Sequence, residues 1–425
     1  LIEVIVMNER RMLTALLAAL LLSPIAHAQQ NDLTLERAVE LARERAPQLH
    51  AQAAALEAAQ ARAVAAGRLP DPELVMGIDN LPVTTDDAGS TTRDFMTMRK
   101  IGVMQSFPNA QKRDRQRETA QAAISVVRSQ AQQAQLEVAQ AAAQAWVAVY
   151  AADRLEGNLQ ALRPELELQA QAVNAALRAG RASSVDALAA QAAIFELDDQ
   201  LLDAHREARS SRAMLARWIG DEAQSVSLAA APSFETLSSA RETLLATLHQ
   251  HASLRAYEAQ IALAQSEVDM ARAEKHADWS AELAYAKRGD AFSDMVSLEF
   301  RVGLPLFSRH RQDPLISAKR AEVTQLQAQR EAELRMHAEE VTSTLAAWQS
   351  ARDRIDLYQR ERLPLARQRS KVALASYQAG GIPLADVLAS IVAEIHIQQG
   401  YAQLLRELGR SWVVLRYLEL PESLP

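Results

Sequence analysis

Arg178-Ala179-Gly180-Arg181-Ala182-Ser183-Ser184-Val185-Asp186-Ala187-Leu188 recurs as Gln378-Ala379-Gly380-Gly381-Ile382-Pro383-Leu384-Ala385-Asp386-Val387-Leu388, at an offset of 200 residues. Asp153-Arg154 and Pro164 find Asp353-Arg354 and Pro364 at the same offset. Earlier in each half, Leu49-x-Ala51 with Ala59-Gln60 answers Leu254-x-Ala256 with Ala264-Gln265, so the register slips by five residues. A solenoid repeats every 20 to 50 residues or so, far less than this period. The chain is therefore two copies of one domain-sized unit.

The quoted stretch reads as a reversal between two helices. Gly180, Gly380 and Gly381 supply the positive φ that a helix C-cap needs. Ser183 as N-cap puts Asp186 at the third helical position, and Asp386 stands at the matching place, where a carboxylate favours a helix N-terminus. From these reversals, helical spacing extends over 109–178 and 185–219 in the first half and over 312–378 in the second. The long stretches would each span roughly 100 Å and the shorter ones about 50 Å, so two short helices end to end match one long one. Thr34 is the expected N-cap of the first short helix, which Pro47 kinks or splits, and residues 221–236 link the halves at mid-height.

Between the helices the period changes to two. Leu74, Met76 and Ile78 alternate with Glu73, Gly77 and Asp79, and a second, poorly alternating run follows over 96–107. In the second half Trp279, Ala281, Leu283 and Tyr285 alternate with polar or small neighbours, as do Val296, Leu298, Phe300 and Val302. Each half thus predicts one hairpin, at 72–107 and 279–305. Its strands of about ten residues, apolar on one side, have the length and dyad of an outer-membrane barrel strand. A soluble hairpin lying on a helical core fits the same pattern. On the barrel reading Leu74, Met76, Ile78, Leu283, Tyr285, Leu298 and Phe300 face lipid.

Composition narrows the compartment. Aromatic residues are 4% and glycines 13, while Ala, Gln, Glu, Arg and Leu fill long stretches, as in extended, closely packed helices. The formal charge of −7 and the absence of a basic stripe argue against a nucleic-acid partner. Arg10-Arg11, the apolar run 12–22 and Ala26-His27-Ala28 read as a secretory signal cleaved before Gln29, with residues 1–6 an upstream artefact. With no cysteine there is neither disulfide nor thiolate metal site.

Residues that invite chemistry have simpler readings. Met96, Met98 and Met104 have the thioethers that suit Cu(I), but flexible apolar fillers on a strand are the preferred reading. His249 and His251, at i, i+2 on a helix, would point apart. Phe107, Trp279 and Phe307 read either as interfacial aromatics or as ordinary packing. No Ser, His and carboxylate arrangement, phosphate loop or metal-ligand spacing stands out, so no enzyme and no cofactor is expected.

Taken together, the duplication, the paired hairpins, the long helices and the Gly-containing tips resemble the TolC-like outer-membrane factor family. The resemblance implies a mainly α fold with a small β part: a long helical barrel, with four strands per protomer forming a 12-stranded β-barrel in a homotrimer. Leu69-Pro70-Asp71-Pro72-Glu73-Leu74 and the run 95–105 with Phe107-Pro108 are similar to the heavy-metal (CzcC/CusC-like) branch. That implies a passive exit duct in the outer membrane, its helices in the periplasm. Its partners would be a periplasmic adaptor, docked at the tips Gly180, Ser183, Asp186, Gly380, Gly381 and Asp386, and an inner-membrane RND pump. The junction Ala277-Asp278-Trp279 departs from the pattern, having no proline where the first repeat has Pro70 and Pro72. Other readings are an exit duct for drugs or secreted proteins and, from another class, a periplasmic adaptor or coiled-coil scaffold.

Overall fold

In the computed structural model, residues 32–237 and 240–418 are described; the expected signal segment and its cleavage site lie outside the described residues. Thr34 caps α1 (Leu35–Arg45), its side chain accepting from the Arg37 N–H, and Ala46 breaks the helix before α2 (Pro47–Ala65). Proline at a first helical position has no N–H to lose, so the split at Pro47 costs no hydrogen bond. Strands β1 (Glu73–Asp79) and β2 (Met98–Phe107) follow, then α3 (Ala110–Arg178) and α4 (Ser184–Ile219). The second repeat runs α5 (Arg241–Thr247), α6 (Ala252–Ala273), β3 (Trp279–Lys287), β4 (Met295–Val302), α7 (Gln312–Leu357), α8 (Leu363–Gln378) and α9 (Leu384–Leu418).

The 69 residues of α3 extend for about 100 Å and pack against α1, α2, α4, α6 and α9. Two departures from the sequence reading concern proline and the strands. The stretch 312–378 is not one helix, because a π-turn at Tyr358–Arg362 separates α7 from α8 just before Pro364. Proline clashes with the carbonyl four residues back, and a wider turn relieves that clash. Its counterpart Pro164 sits inside α3 without a break. The second strand begins at Met98, leaving Met96 in the connecting loop.

The main core lies where the short helices meet end to end. Leu41, Ala42, Trp146, Ile219, Phe234, Trp348 and Leu408 are all buried in it. The fully buried Trp146 indole N–H donates to the Leu33 carbonyl at 2.8 Å, and that of Trp348 donates to the Phe234 carbonyl at 2.8 Å. The tryptophans stand 202 residues apart and their acceptors 201, so the same clamp is made once per repeat. Trp412 adds a third bond to Thr236, and Leu33 pairs in parallel with Leu228 of the linker. A second core fills the lower hairpins with Leu159, Leu166, Leu197, Val387 and Ile395.

Replacing Trp348 with Phe keeps most of the ring but orphans a buried carbonyl. Unfolding in denaturant is expected to show a loss of about 1–3 kcal/mol. Trp146→Phe should cost a similar amount, and the double variant about the sum, since the two bonds share no partner.

Candidate functional site: the two-faced sheet and the helical tips

The four strands form one antiparallel meander, β1-β2-β3-β4, in which β2 and β3 join the two hairpins. Register sorts the side chains into rows. Leu74, Val103, Leu283 and Leu298 lie in one row across the sheet, and Met76, Ile101, Tyr285 and Val296 in the next. These eight side chains share one face, and all are exposed, from 45% for Tyr285 to 72% for Val296. Ile78 and Phe300, on the same face, are exposed at 50% and 63%. An apolar surface of ten large side chains is far beyond what a solitary soluble sheet leaves in water. The weak alternation of the second strand also has a cause. Arg99 falls at the end of the apolar face, opposite Ile78 and Lys287, while Lys100 belongs to the other face.

That other face is polar and crowded. Glu282, 4% exposed, accepts from Lys100 Nζ at 3.1 Å and from Arg301 Nη2 at 2.8 Å, and Arg301 Nε also reaches Glu299 at 2.8 Å. A carboxylate so enclosed is tolerable only because both its oxygens are matched by cations. A Cβ at Gly102 would lie 2.7 Å from that of Ala284, and Ala284 and Ala286 are buried. Crowding on one face and openness on the other is what a sheet curved toward its polar side produces.

At the sheet's helical end, Asp278 takes the place of the missing proline as an anchor. It accepts from the Asn109 N–H at 2.7 Å and from Lys112 Nζ at 3.1 Å, tying β3 to the start of α3. Phe107 and Trp279 stack with centroids 4.1 Å apart, so these two pack on each other, whereas Phe307 stands 76% exposed. Met98 lies opposite Asp79 and Met104 opposite Glu73, at the two ends of the ladder and about 20 Å apart. They do not converge, and Met104 Sδ accepts from Arg301. Among the described residues no His, Asp and Glu cluster could hold a metal ion.

At the other end, both tips close in the same way. Gly180 (φ 68°) donates to Leu177 O and Arg181 to Ala176 O; Gly380 (φ 77°) donates to Tyr377 O and Gly381 to Ser376 O. This pair of bonds satisfies the last helical carbonyls and needs one left-handed residue. Gly381 is therefore not the positive-φ position; it stands where the first repeat has Arg181. Ser183 Oγ accepts from the Asp186 N–H at 3.1 Å and the Asp186 carboxylate accepts from the Ser183 N–H at 2.9 Å, a reciprocal cap. The hydrogen bonds from Ser183 hold the Asp186 carboxyl below its ordinary value. At the second tip Pro383 stands in the capping place, and the Asp386 N–H bonds to its carbonyl instead.

The histidines differ from their sequence reading. His249 lies in a single 3-10 turn and His251 caps α6, so the two are not neighbours on one helix. His251 instead faces His337 of α7, with ring centroids 4.5 Å apart and Ser253 Oγ between them, at 2.9 Å from His251 Nδ1 and 2.7 Å from His337 Nε2. Glu340 and Glu333 approach His337 at 3.2 and 3.3 Å. Burial, and then the neighbouring His337, lower His251 to about 4, while Glu340 raises His337. No sequence signal pointed to this pair, because its members lie on separate helices.

Residues 38–221 match the family model described as outer membrane efflux protein. Solved structures share the fold over nearly the whole chain. VceC, the outer membrane protein of Vibrio cholerae, is 20% identical with a TM-score of 0.73, covering 90% of this chain and 95% of its own. CusC, whose structures describe transmembrane channel formation, is 16% identical with a TM-score of 0.74, covering 91% and 92%. The CmeC outer membrane channel of Campylobacter jejuni is 13% identical with a TM-score of 0.76, covering 92% and 86%. No curated protein matches the chain. Among the described residues no helix is long and apolar enough to cross a membrane.

The histidine pair makes a pH prediction. His251 binds its proton less readily folded than unfolded, so its contribution to stability is lost as pH falls from about 6.5 toward 4. His337 acts oppositely: its contribution is full below about 6.5 and is lost as pH rises through its raised native value. Melting of wild type and His251→Asn between pH 6.5 and 4.5 should show the steeper acid loss in wild type. The difference should be at most about 1.4 kcal/mol per pH unit.

Proposed function

We propose that this chain is one protomer of a trimeric outer-membrane exit duct in an efflux system. The observation that carries the reading is the sheet: its apolar face is open along all four strands, and β1 and β4 each pair on one side only. Backbone edges are not tolerated in lipid, so four strands must be completed by others. Three copies, with β4 of each meeting β1 of the next, supply twelve. Leu74, Met76, Ile78, Leu283, Tyr285, Leu298 and Phe300 then face the bilayer, and the Lys100–Glu282–Arg301 face lines the lumen.

The helices give a second, independent argument for assembly. On α4, Leu188, Phe195 and Leu202 recur every seven residues and are 66%, 62% and 70% exposed. Their counterparts on α9 are Leu388, Ile395 and Ala402. Ile395 and Ala402 are buried, and Leu388 packs against the lower core. The repeat thus covers inside one chain a stripe that its first copy leaves open. A neighbouring copy covers it by the same kind of contact, closing the helical barrel.

The tips Gly180, Ser183, Asp186, Gly380, Gly381 and Asp386 serve as the docking end for a periplasmic adaptor, which couples the duct to an inner-membrane RND pump. Energy comes from the pump, and the duct itself performs no chemistry. The cargo is a heavy-metal cation, of the copper-silver or the cobalt-zinc-cadmium group. This rests on the resemblance of residues 69–74 and 95–108 to the metal branch. An acidic chain suits a cation path, since negative charge in a tunnel raises local cation concentration.

Purified in detergent, the full chain should have the mass of three copies, and Phe195→Glu with Leu202→Glu should shift it toward monomer while leaving helicity by circular dichroism unchanged. A stable monomer in water without detergent overturns the duct. In cells, deletion should lower tolerance across a panel of metals. Lost drug tolerance with unchanged metal tolerance would overturn the cargo alone.

A further inference from the structure

The two junctions where a hairpin returns to a long helix ought to be copies, and they are not. In the first repeat β2 passes to α3 through Pro108 and Asn109 alone, Phe107 is stacked on Trp279, and Lys112, Arg115 and Arg117 are ion-paired. Arg113, with no ion-pair partner among the described residues, is half-buried with its Nε enclosed. The second junction, between β4 and α7, is a longer, ordered protrusion. The Gly303 N–H donates to Asp278 O at 2.8 Å, the Leu306 N–H to Leu304 O at 2.9 Å, and the 3-10 turn Ser308–His310 closes from Phe307 O. It holds Leu304, Leu306 and Phe307 outward at 67%, 74% and 76% exposure. Three consecutive exposed cationic or titratable side chains follow, Arg309, His310 and Arg311, and none has an ion-pair partner among the described residues.

The apolar triad continues the lipid-facing row beyond Phe300 and Val302 of β4, so on the membrane reading it enters the same apolar layer. The cations sit just past it, toward the helices. Arg311 and Leu304 also line an adjoining cleft of about 460 Å³ with Pro305, Leu315 and Lys319. The carboxylates of that cleft are matched: Glu267 bonds to Lys319, and Glu274 and Asp278 bond to Lys112. Arg309 and Arg311 are left as surplus positive charge beside an apolar wedge. This pairing of wedge and cations is what binds an interfacial segment to anionic lipid.

We propose that residues 304–311 form a docking site for an anionic phospholipid of the periplasm-facing leaflet, Leu304, Leu306 and Phe307 entering the acyl layer and Arg309 and Arg311 taking the headgroup phosphate. The proposal rests on the outer-membrane reading given above. In an assembly it places one such anchor per protomer, on the second repeat only.

The test uses the full chain in nanodiscs of phosphatidylethanolamine with graded phosphatidylglycerol, counting retained lipids by native mass spectrometry. Wild type should retain phosphatidylglycerol in preference, and R309Q with R311Q should lower that preference on the order of tenfold. R335Q, on α7 away from the sheet, should leave it unchanged. L306S with F307S tests the wedge and should shorten lipid retention even with both arginines present. Entry into nanodiscs without headgroup preference, or an undiminished preference in the double arginine variant, overturns the lipid site alone. Preferential retention of lipopolysaccharide when both are offered overturns it too. A wild-type chain that never enters nanodiscs overturns the membrane reading instead.

Discussion

Two indole N–H groups hold the middle of this molecule, and the geometry at both ends depends on them. Trp146 and Trp348 reach from the long helices to the carbonyls of Leu33 and Phe234, on the segments that lead into each repeat's short helices. A helix break exposes backbone groups, and in a buried core each must find a partner. The tryptophans supply those partners while filling the space the break opens. Arg45 and Arg212 extend the same solution: Arg45 bonds the Ile219 carbonyl at the end of α4, and Arg212 bonds the carbonyls of Ala223 and Val226 while pairing with Asp153. With the breaks fixed at one height, the long helices carry the sheet at one end and the tips at the other.

Much of this was legible in the sequence because it is periodic. The tips could be aligned since a glycine at a helix C-cap and an aspartate three residues into the next helix are local requirements, set by backbone geometry. The strands of the second half could be read because alternation at period two survives wherever one face is apolar throughout. What could not be read is what depends on distant partners. A tryptophan in a helical pattern looks like core, and nothing near Trp146 announces a carbonyl 113 residues away. The His251–Ser253–His337 contact, and the role of Asp278 as anchor for Asn109 and Lys112, are hidden for the same reason. Gly380 and Gly381 satisfy the sequence rule equally, and only the backbone decides that Gly380 is the one that turns left-handed.

Where the copies differ at their matching prolines, the packing around each proline differs too. Pro164 is absorbed inside α3, but Pro364 is preceded by a π-turn, where Tyr358 packs against Gly400 and Arg362 lies over its ring. A Cβ at position 400 would come within 2.9 Å of the Tyr358 hydroxyl, so the glycine and the widened turn belong together. The second repeat's lower hairpin is thereby segmented, and the first repeat's is continuous.

If the chain is a duct, as proposed, the division of the sheet into two faces also limits where selection among cargoes can occur. The charges of the polar face are spent on one another: Glu282 is closed off by Lys100 and Arg301, and Arg301 is shared with Glu299. Paired charges that already satisfy each other's hydrogen bonds have little left to offer a passing ion, and breaking such a pair costs more than a transient ligand returns. The methionines that invite soft-metal chemistry are likewise committed, Met98 and Met104 at opposite ends of a ladder and Met104 against Arg301. A sheet built in this way shapes and holds open a wall rather than recognising what moves along it. On the duct reading proposed above, discrimination then belongs to whatever loads the duct, and the specificity proposed for this chain lies in contacts with lipid, with its own copies and with a partner at its tips.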